Sequence, residues 1–477
     1  MFRSLVSGNS RRHVLYVLLI FTLGLLLRLH AIRVYEHSII SDELSYHAIA
    51  VNMLDGNPYS RDLQPPYRPE YQRTPGYPLF VAAVYAVFGY NPIAVYVVQS
   101  VLNSFTILLV WILVYRLSPV YQTRAAYSAA VVMALNPMML HASSHLLREA
   151  FVSVLITTTI MIMFFAWRRR QSKLWLLSGI GFASSVLVRT EAILVLAACC
   201  ISLLYLQVKR KQSAKIMYRS VSLMILFPII VLIAWAGYIN HHFGVWSLGP
   251  DSDIGPIHRT VAIASMSDNT KFIEIIHDYG IDLDGSDISS ITYGIADIHR
   301  GKTGHNWIRT YRELRPLADE YLVRFPLRWV SRGVYDAVNM SLGYSELEPY
   351  LGEYRQNEFE YRRYSGLIGE NKYGLFVIYI FSRFCIGTLV LLGFTIAAVS
   401  WIRKSNVGVM LFACVFIVVL TTSANGTYIP RVRAAYEPIL ITGAVVGWAI
   451  AISWVKEKVT RRRSKAAQVS DQHLTSI

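Results

Sequence analysis

The sequence predicts an all-α polytopic membrane protein, and three observations carry that prediction. Of its 477 residues, 54% are hydrophobic and only 16% are charged, too apolar a balance for an ordinary soluble chain of this length. Apolar runs of roughly 16 to 25 residues recur from end to end, the length a helix needs to cross hydrocarbon. The basic clusters fall in short connections between those runs, as the positive-inside tendency requires. The architecture expected is a bundle of about ten transmembrane helices with interfacial helices and one long external segment.

The chain carries 46 Lys+Arg against 30 Asp+Glu, a formal net charge of +16. No basic helix, finger or aromatic RNA motif accompanies that charge, so the expected partner is the lipid bilayer and not nucleic acid. Cys199, Cys200, Cys385 and Cys414 all lie inside apolar runs, which indicates neither a disulfide framework nor a thiolate metal site.

The first span is expected at about Val14 to Val34, after a basic start carrying Arg3, Arg11 and Arg12. Its length, the lack of a small-residue cleavage site and the spans that follow argue against a cleaved signal. Arg33 can reach the interface by snorkelling. Arg28 lies deeper and needs a polar cavity or an anionic partner.

The external loop from about Tyr35 to Thr74 holds the adjacent acids Asp42 and Glu43 just past the span exit. Ionised groups this close to hydrocarbon are functional candidates. One would serve as a general base and its neighbour as a positioning or metal-binding group; the alternative is a solvated loop. Tyr46, Ile49, Ala50, Met53 and Leu54 have helical spacing, which predicts an interfacial helix from Asp42 to Leu54. The proline-rich stretch ending Tyr71-Gln72-Arg73-Thr74-Pro75-Gly76-Tyr77-Pro78 fixes an irregular backbone.

Leu79 to Gly89 is too short to cross and is expected to be interfacial or half-inserted. With no net crossing there, Arg116 to Arg124, Arg168-Arg169-Arg170, Lys209-Arg210-Lys211, Arg403-Lys404 and the tail from Lys456 all fall on the cytosolic side. Further spans are expected at about Ile93 to Tyr115, Ala125 to Leu140, Ala150 to Trp167, Leu174 to Val188, Ala192 to Val208 and Val221 to Asn240. Three more follow at about Phe376 to Ile402, Val407 to Thr422 and Ile439 to Val455, which puts both termini in the cytosol. The expected units are a transmembrane catalytic module (1–240), an external, mainly helical segment (241–375), C-terminal transmembrane helices (376–456) and a basic cytosolic tail (457–477).

Arg73, Arg148, Arg189, Arg431 and Arg433 fall on the external side, where basic residues are usually scarce. A positive cleft there suits a phosphorylated lipid, because guanidinium binds phosphate bidentately. Salt bridges to Glu149, Glu191 or Glu437 are the alternative, and both uses are compatible. His141, His145 and Glu149 fall at i, i+4 and i+8, one face of a helix, a set open to metal ligation or to plain interfacial packing. Asp251-Ser252-Asp253 lacks the nucleotide-binding α/β pattern its spacing would need. Gly301-Lys302-Thr303 is not a phosphate loop, because Ala296 occupies the required glycine position.

Taken in order, Arg28, Asp42-Glu43 with Tyr46, Arg73-Thr74-Pro75-Gly76-Tyr77-Pro78, Phe88-Gly89, Arg148-Glu149, Arg189-Thr190-Glu191 and Arg431-Val432-Arg433 ahead of Glu437-Pro438 resemble one family. It is the GT-C superfamily of integral-membrane glycosyltransferases, in the branch of protein O-mannosyltransferases and lipid A aminoarabinose transferases. The resemblance is good over about residues 14 to 210 and looser over the last spans. It implies a polyprenyl-phosphate sugar donor and a lipid, glycan or protein acceptor. It also implies an active site on the external face of a bacterial inner membrane. By that resemblance Asp42 is the carboxylate at the catalytic centre, with Glu43 beside it, and Arg73 and Arg189 contact the donor phosphate. Glu149 matches the acid after the third span. Arg28, Tyr46, Tyr77, Arg148, Glu191, Arg431 and Arg433 complete the expected substrate-binding set. Relatives often carry His or Lys where this chain has Arg73, and the tandem-acid metal signature of the oligosaccharyltransferase branch is missing; a divalent metal stays open as a cofactor. A flippase of an anionic polyprenyl-linked lipid, and an O-antigen-type ligase or polymerase, use similar arginines and are the alternatives.

Overall fold

The computed structural model describes residues 8–34, 37, 39, 42–209, 214–249, 251–264, 288–328, 331, 387–404 and 434–474. Among these, every regular element is helical. Among the described residues, five helices are long and apolar enough to cross a membrane: α1 (Gly8–Val34), α4 (Pro92–Leu117), α7 (Arg148–Arg169), α10 (Ala214–Phe243) and α15 (Glu437–Leu474). Shorter apolar helices fill the gaps between them: α3 (Gly76–Phe88), α8 (Ser172–Val188) and α9 (Ala192–Lys209). The helix α2 (Asp42–Leu54) has the bounds that its sequence spacing predicts. The expected span at Val407 to Thr422 lies outside the described residues, as do Arg431 and Arg433.

One expected span is broken. The run from Ala125 to Leu140 divides into α5 (Gln122–Ala134) and α6 (Pro137–Ser144), bent by 45°. Pro137 lacks an amide hydrogen and cannot continue α5, and the Asn136 carboxamide accepts from the amide of Met139 at 3.0 Å to start α6. The break strands carbonyls at the end of α5. Arg28, fully buried, takes them: its guanidinium donates to Met133 O at 3.4 Å and Ala134 O at 3.5 Å, besides Gly24 O at 3.0 Å and Asn103 Oδ1 at 2.9 Å. An arginine inside hydrocarbon is tolerated when backbone oxygens receive it in this way.

The main core joins α1 through α10 with α14 (Gly387–Lys404) and α15. Polar residues of α4 thread it: Gln99, Ser100 and Asn103 are buried, and Asn103 donates to Ala150 O at 3.2 Å and Ser153 Oγ at 3.0 Å in the first turns of α7. A second core lies in the segment beyond α10. There α11 (Asp251–Ala264), α12 (Ile288–Thr303) and α13 (Trp307–Arg324) pack Ile254, Ile257, Val261, Ile295, Tyr311 and Leu314 together. Trp307, Tyr311, Leu314 and Tyr321 stand on one face of α13, as their spacing predicts. The α13 residue Ile308 also packs with Trp235 and Ile239 of α10, against Tyr59 and Tyr71 of the first loop.

Candidate active site

The loop between α2 and α3 is held by its own side chains. Asn52, near the end of α2, donates to the carbonyls of Ser60 and Asp62, both at 2.8 Å. Arg68 grips Asp62, and its side-chain hydrogen bonds hold that carboxyl down at about 2. The buried carboxylate of Glu70 accepts the amides of Tyr71 at 2.9 Å, Gln72 at 2.5 Å and Arg73 at 3.3 Å, while Arg61 sits 3.4 Å from its other oxygen. Tyr59 donates to the carbonyl of Arg73 at 2.7 Å. The backbone of Arg73 is therefore fixed from both sides.

The guanidinium of Arg73 ion-pairs with Asp42 at the start of α2 and lies over the Tyr46 ring, 5.3 Å from its centroid. Successive helical residues point about 100° apart, so Glu43 faces elsewhere: it is buried and accepts from the hydroxyl of Tyr96 at 3.4 Å. The two acids adjacent in sequence thus have different surroundings.

The second charged group sits at the ends of α7, α8 and α9. Arg189 lies 3.5 Å from Glu149 and 3.3 Å from Glu191. Burial works against charge on both Arg189 and Glu191. For Arg189, Glu191 ahead of Glu149 outweighs that penalty and the pKa is raised. For Glu191, Arg189 and then Arg148 outweigh it and hold the carboxyl below the usual carboxylate range.

The two groups form one cluster. Tyr46, buried between them, feels Arg148 and Glu149 as well as Arg73 and Asp42; burial pushes its phenol upward and the two arginines oppose that. Beyond Arg189, Tyr436 of the 3-10 turn Ala434–Tyr436 lies in the field of Arg189, Glu191, Arg148 and Glu149. Sequence explains the close approach. The hydroxyl of Thr74 donates to Val188 O at 3.1 Å. A Cβ on Gly76 would stand 2.6 Å from the carbonyl carbon of Leu187, so only glycine lets α3 start against the end of α8.

Accessibility divides the cluster. The side chains of Asp42 and Arg73 are 22% and 15% exposed, whereas those of Glu149 and Arg189 are each 3% exposed. Arg148 is half-buried, and Glu191 retains 15% exposure. Of the residues expected in the site, Asp42, Tyr46, Arg73, Arg148, Glu149, Arg189 and Glu191 come together. Glu437 is buried as the first residue of α15, directly after Tyr436.

Two residues expected at the substrate are fully buried. Arg28 is sealed inside the bundle, its guanidinium turned to the end of α5 and to Asn103. Tyr77 is also sealed, with its hydroxyl donated to Gln99 Oε1 at 3.0 Å. The expected single helical face of His141, His145 and Glu149 is interrupted: α6 ends at Ser144, His145 has extended backbone (φ −128°, ψ 160°), and Glu149 belongs to α7. Among the described residues, no group of three His, Cys, Asp or Glu side chains is arranged to hold a metal ion. The sequence reading passed over Glu70, Thr74 and Gln99. The signal for Gln99 was present, since an amide inside an apolar run needs a partner. Glu70 carried none, standing in a polar loop, and Thr74 was read only as part of the Arg73-to-Pro78 motif.

Comparison with known proteins agrees with this architecture. The family described as dolichyl-phosphate-mannose-protein mannosyltransferase matches residues 72–235, a stretch that includes Arg73, Arg148, Glu149, Arg189 and Glu191. No curated protein matches the sequence. Among solved structures, the Archaeoglobus fulgidus oligosaccharyltransferase AglB, in complex with an inhibitory peptide and a dolichol-phosphate, is 13% identical with a TM-score of 0.50. That match covers 94% of this chain and 52% of that one. The apo form of the A. fulgidus oligosaccharyltransferase aligns over 95% of this chain and 52% of its own, with 11% identity and a TM-score of 0.52. ArnT from Cupriavidus metallidurans bound to undecaprenyl phosphate is 14% identical over 91% of this chain and 77% of that one, with a TM-score of 0.37. The chain spans about half the length of the oligosaccharyltransferases it matches. The family match lies across the same helices that build the charged cluster, and the fold is similar to that of the A. fulgidus oligosaccharyltransferases.

Proposed function

We propose that the protein transfers a sugar from a polyprenyl-phosphate donor to an acceptor hydroxyl or amine, with inversion, at the external face of a bacterial inner membrane. The observation that carries this reading is the Asp42–Arg73 pair, the more accessible of the two ion-pair groups, with Arg148 near enough to act on the Tyr46 phenol that Arg73 covers. The dolichol-phosphate in the AglB structure fits the same lipid-phosphate chemistry.

In this mechanism the donor phosphate takes over Arg73 from Asp42, and Arg148 lies within reach of it. The released Asp42 carboxylate accepts the proton of the acceptor O–H or N–H as that atom attacks the anomeric carbon. The new bond forms on the face opposite the phosphate, and the bond from the anomeric carbon to the phosphate oxygen breaks. Polyprenyl phosphate departs as an anion without a proton, its charge stabilised by the guanidinium groups. Arg189, sealed between Glu149 and Glu191, acts on this site through its field and by holding both acids. The external segment beyond α10 borders the first loop through Ile308 and is where acceptor choice is expected.

The test is a purified assay of sugar transfer from polyprenyl-phosphate sugars, with the donor identified by mass analysis of membrane glycolipids and glycoproteins with and without the gene. Asp42→Asn should lower turnover by about 10² to 10⁴-fold, the usual worth of a positioned base, and leave donor binding near normal. Near wild-type turnover of this variant refutes the base assignment. Movement of intact lipid with no new glycosidic bond favours a flippase instead.

A further inference from the structure

Gln99 lies in the second turn of α4, fully buried, and its carboxamide is shared between two parts of the site. Its oxygen accepts from the hydroxyl of Tyr77 at 3.0 Å. Its nitrogen faces the carbonyls that end α6: Ser143 at 2.9 Å, Ala142 at 3.3 Å and also His145. The neighbouring Ser100 hydroxyl donates to Ser143 O at 3.1 Å. The orientation of the amide is fixed by these partners, because a flipped amide would point its oxygen at three carbonyl oxygens.

Each end of this bridge leads to a catalytic candidate. Tyr77 follows Arg73-Thr74-Pro75-Gly76 directly, and its ring meets that of Tyr46 edge to face at 4.8 Å. His145 lies three residues before Arg148, the first residue of α7. We infer that Gln99 is a positioning residue: one buried amide sets the separation between the Arg73 side and the Arg148 side of the site. Any amide-sized side chain could fill the space, but the bridge needs an acceptor on one side and donors on the other. A bridge of this kind acts on any ligand that spans both arginines; that the ligand is a lipid phosphate rests on the function proposed above.

The experiment uses the purified full-length protein with Tyr77→Phe, Gln99→Met and the double variant. Tyr85→Phe serves as control, because the Tyr85 hydroxyl is engaged with His47 outside the bridge. Two quantities are measured: binding of undecaprenyl phosphate, and hydrogen exchange over residues 72–80 and 142–150. Each single variant should weaken binding about tenfold, with the double variant no weaker than the worse single, as members of one unit behave. Additive losses, or unchanged binding in both singles, overturn the inference. In Gln99→Met, exchange should rise in both segments together, and a rise confined to one segment overturns it too. If Gln99→Met does not fold, Tyr77→Phe carries the same exchange test, with a rise expected in 142–150. Failure of the wild-type protein to bind undecaprenyl phosphate counts against the lipid-phosphate reading, and the exchange measurement then decides the bridge by itself.

Discussion

The hydroxyl of Thr74 donates to the carbonyl oxygen of Val188 at 3.1 Å, which ties the residue after Arg73 to the residue before Arg189. Two guanidinium groups more than a hundred positions apart are thereby set at one end of the helical bundle. Gly76 makes the approach feasible, and its lack of a side chain is a direct test of the arrangement.

Gly76→Ala would drive a Cβ to 2.6 Å from Leu187 C and 2.7 Å from Val188 N, backbone atoms that have little freedom to give way. Overpacking of this kind typically costs about 1 to 3 kcal/mol. The expected result is a lowered melting temperature in detergent together with impaired lipid-phosphate binding, because Arg73 moves with the start of α3. Gly301→Ala in α12 meets nothing within 4 Å and should leave both properties unchanged.

Arg73 and Arg189 should respond differently to the same substitution. Removing Arg189 takes the shared cation from buried Glu149 and partly exposed Glu191, and breaking a buried pair of the Arg189–Glu149 kind costs about 3 to 5 kcal/mol. Arg189→Met should therefore fold poorly, and thermal melting of the purified protein reads that loss. The Asp42–Arg73 pair is more exposed, and pairs open to solvent contribute about 0 to 1 kcal/mol. Arg73→Met should melt close to wild type while losing affinity for lipid phosphate. Equal stability of the two variants would show that accessibility does not divide the cluster as described.

The charged ends of the spans were legible in the sequence because ionised residues beside hydrocarbon are expensive and few. Asp42, Arg73, Arg148 and Arg189 stood out for that reason, and the structure brings them to one cluster. Sequence depth alone did not reveal which backbone carbonyls would be left without partners. Arg28 read as a group needing a polar cavity or an anionic partner, and the α5–α6 break supplies backbone oxygens. A second break, between α6 and α7, interrupts the helical face of His141, His145 and Glu149, since a spacing of four and eight residues has meaning only along an unbroken helix. Gln99 was legible as an amide inside an apolar run that needs a partner, whereas Glu70 was hidden by a loop in which an acid is ordinarily solvated.

Acid should weaken the Arg189 group in a predictable direction. The Glu191 carboxyl is held below its ordinary value of 4.5 by Arg189 and Arg148. A group whose folded value is depressed gives stability that is fully present above the unfolded value and disappears as pH falls through the folded one. Melting temperature should thus be insensitive to Glu191 from neutral pH down to about 5, then decline as the carboxyl protonates. Glu191→Gln should show a shallower acid decline than the wild type. An identical acid profile for the two proteins would mean that Glu191 is not the responsible group.

Arg28 offers a way to separate a clamp from a ligand contact. Its donors reach Asn103, Gly24, Met133 and Ala134, which belong to α4, α1 and α5, and none of these is a charged group of the site. Lysine at this position carries the charge but cannot present the planar fork that spans those acceptors. Arg28→Lys should therefore lower the melting temperature, with the carbonyls of Met133 and Ala134 left to find other donors inside the bundle. Affinity for undecaprenyl phosphate in the folded fraction should fall little, because the residue is sealed away from the Asp42–Arg73 pair. The contrasting outcome, normal melting with lost lipid binding, would place Arg28 in the substrate-binding set and require a path from the site to the interior of α1.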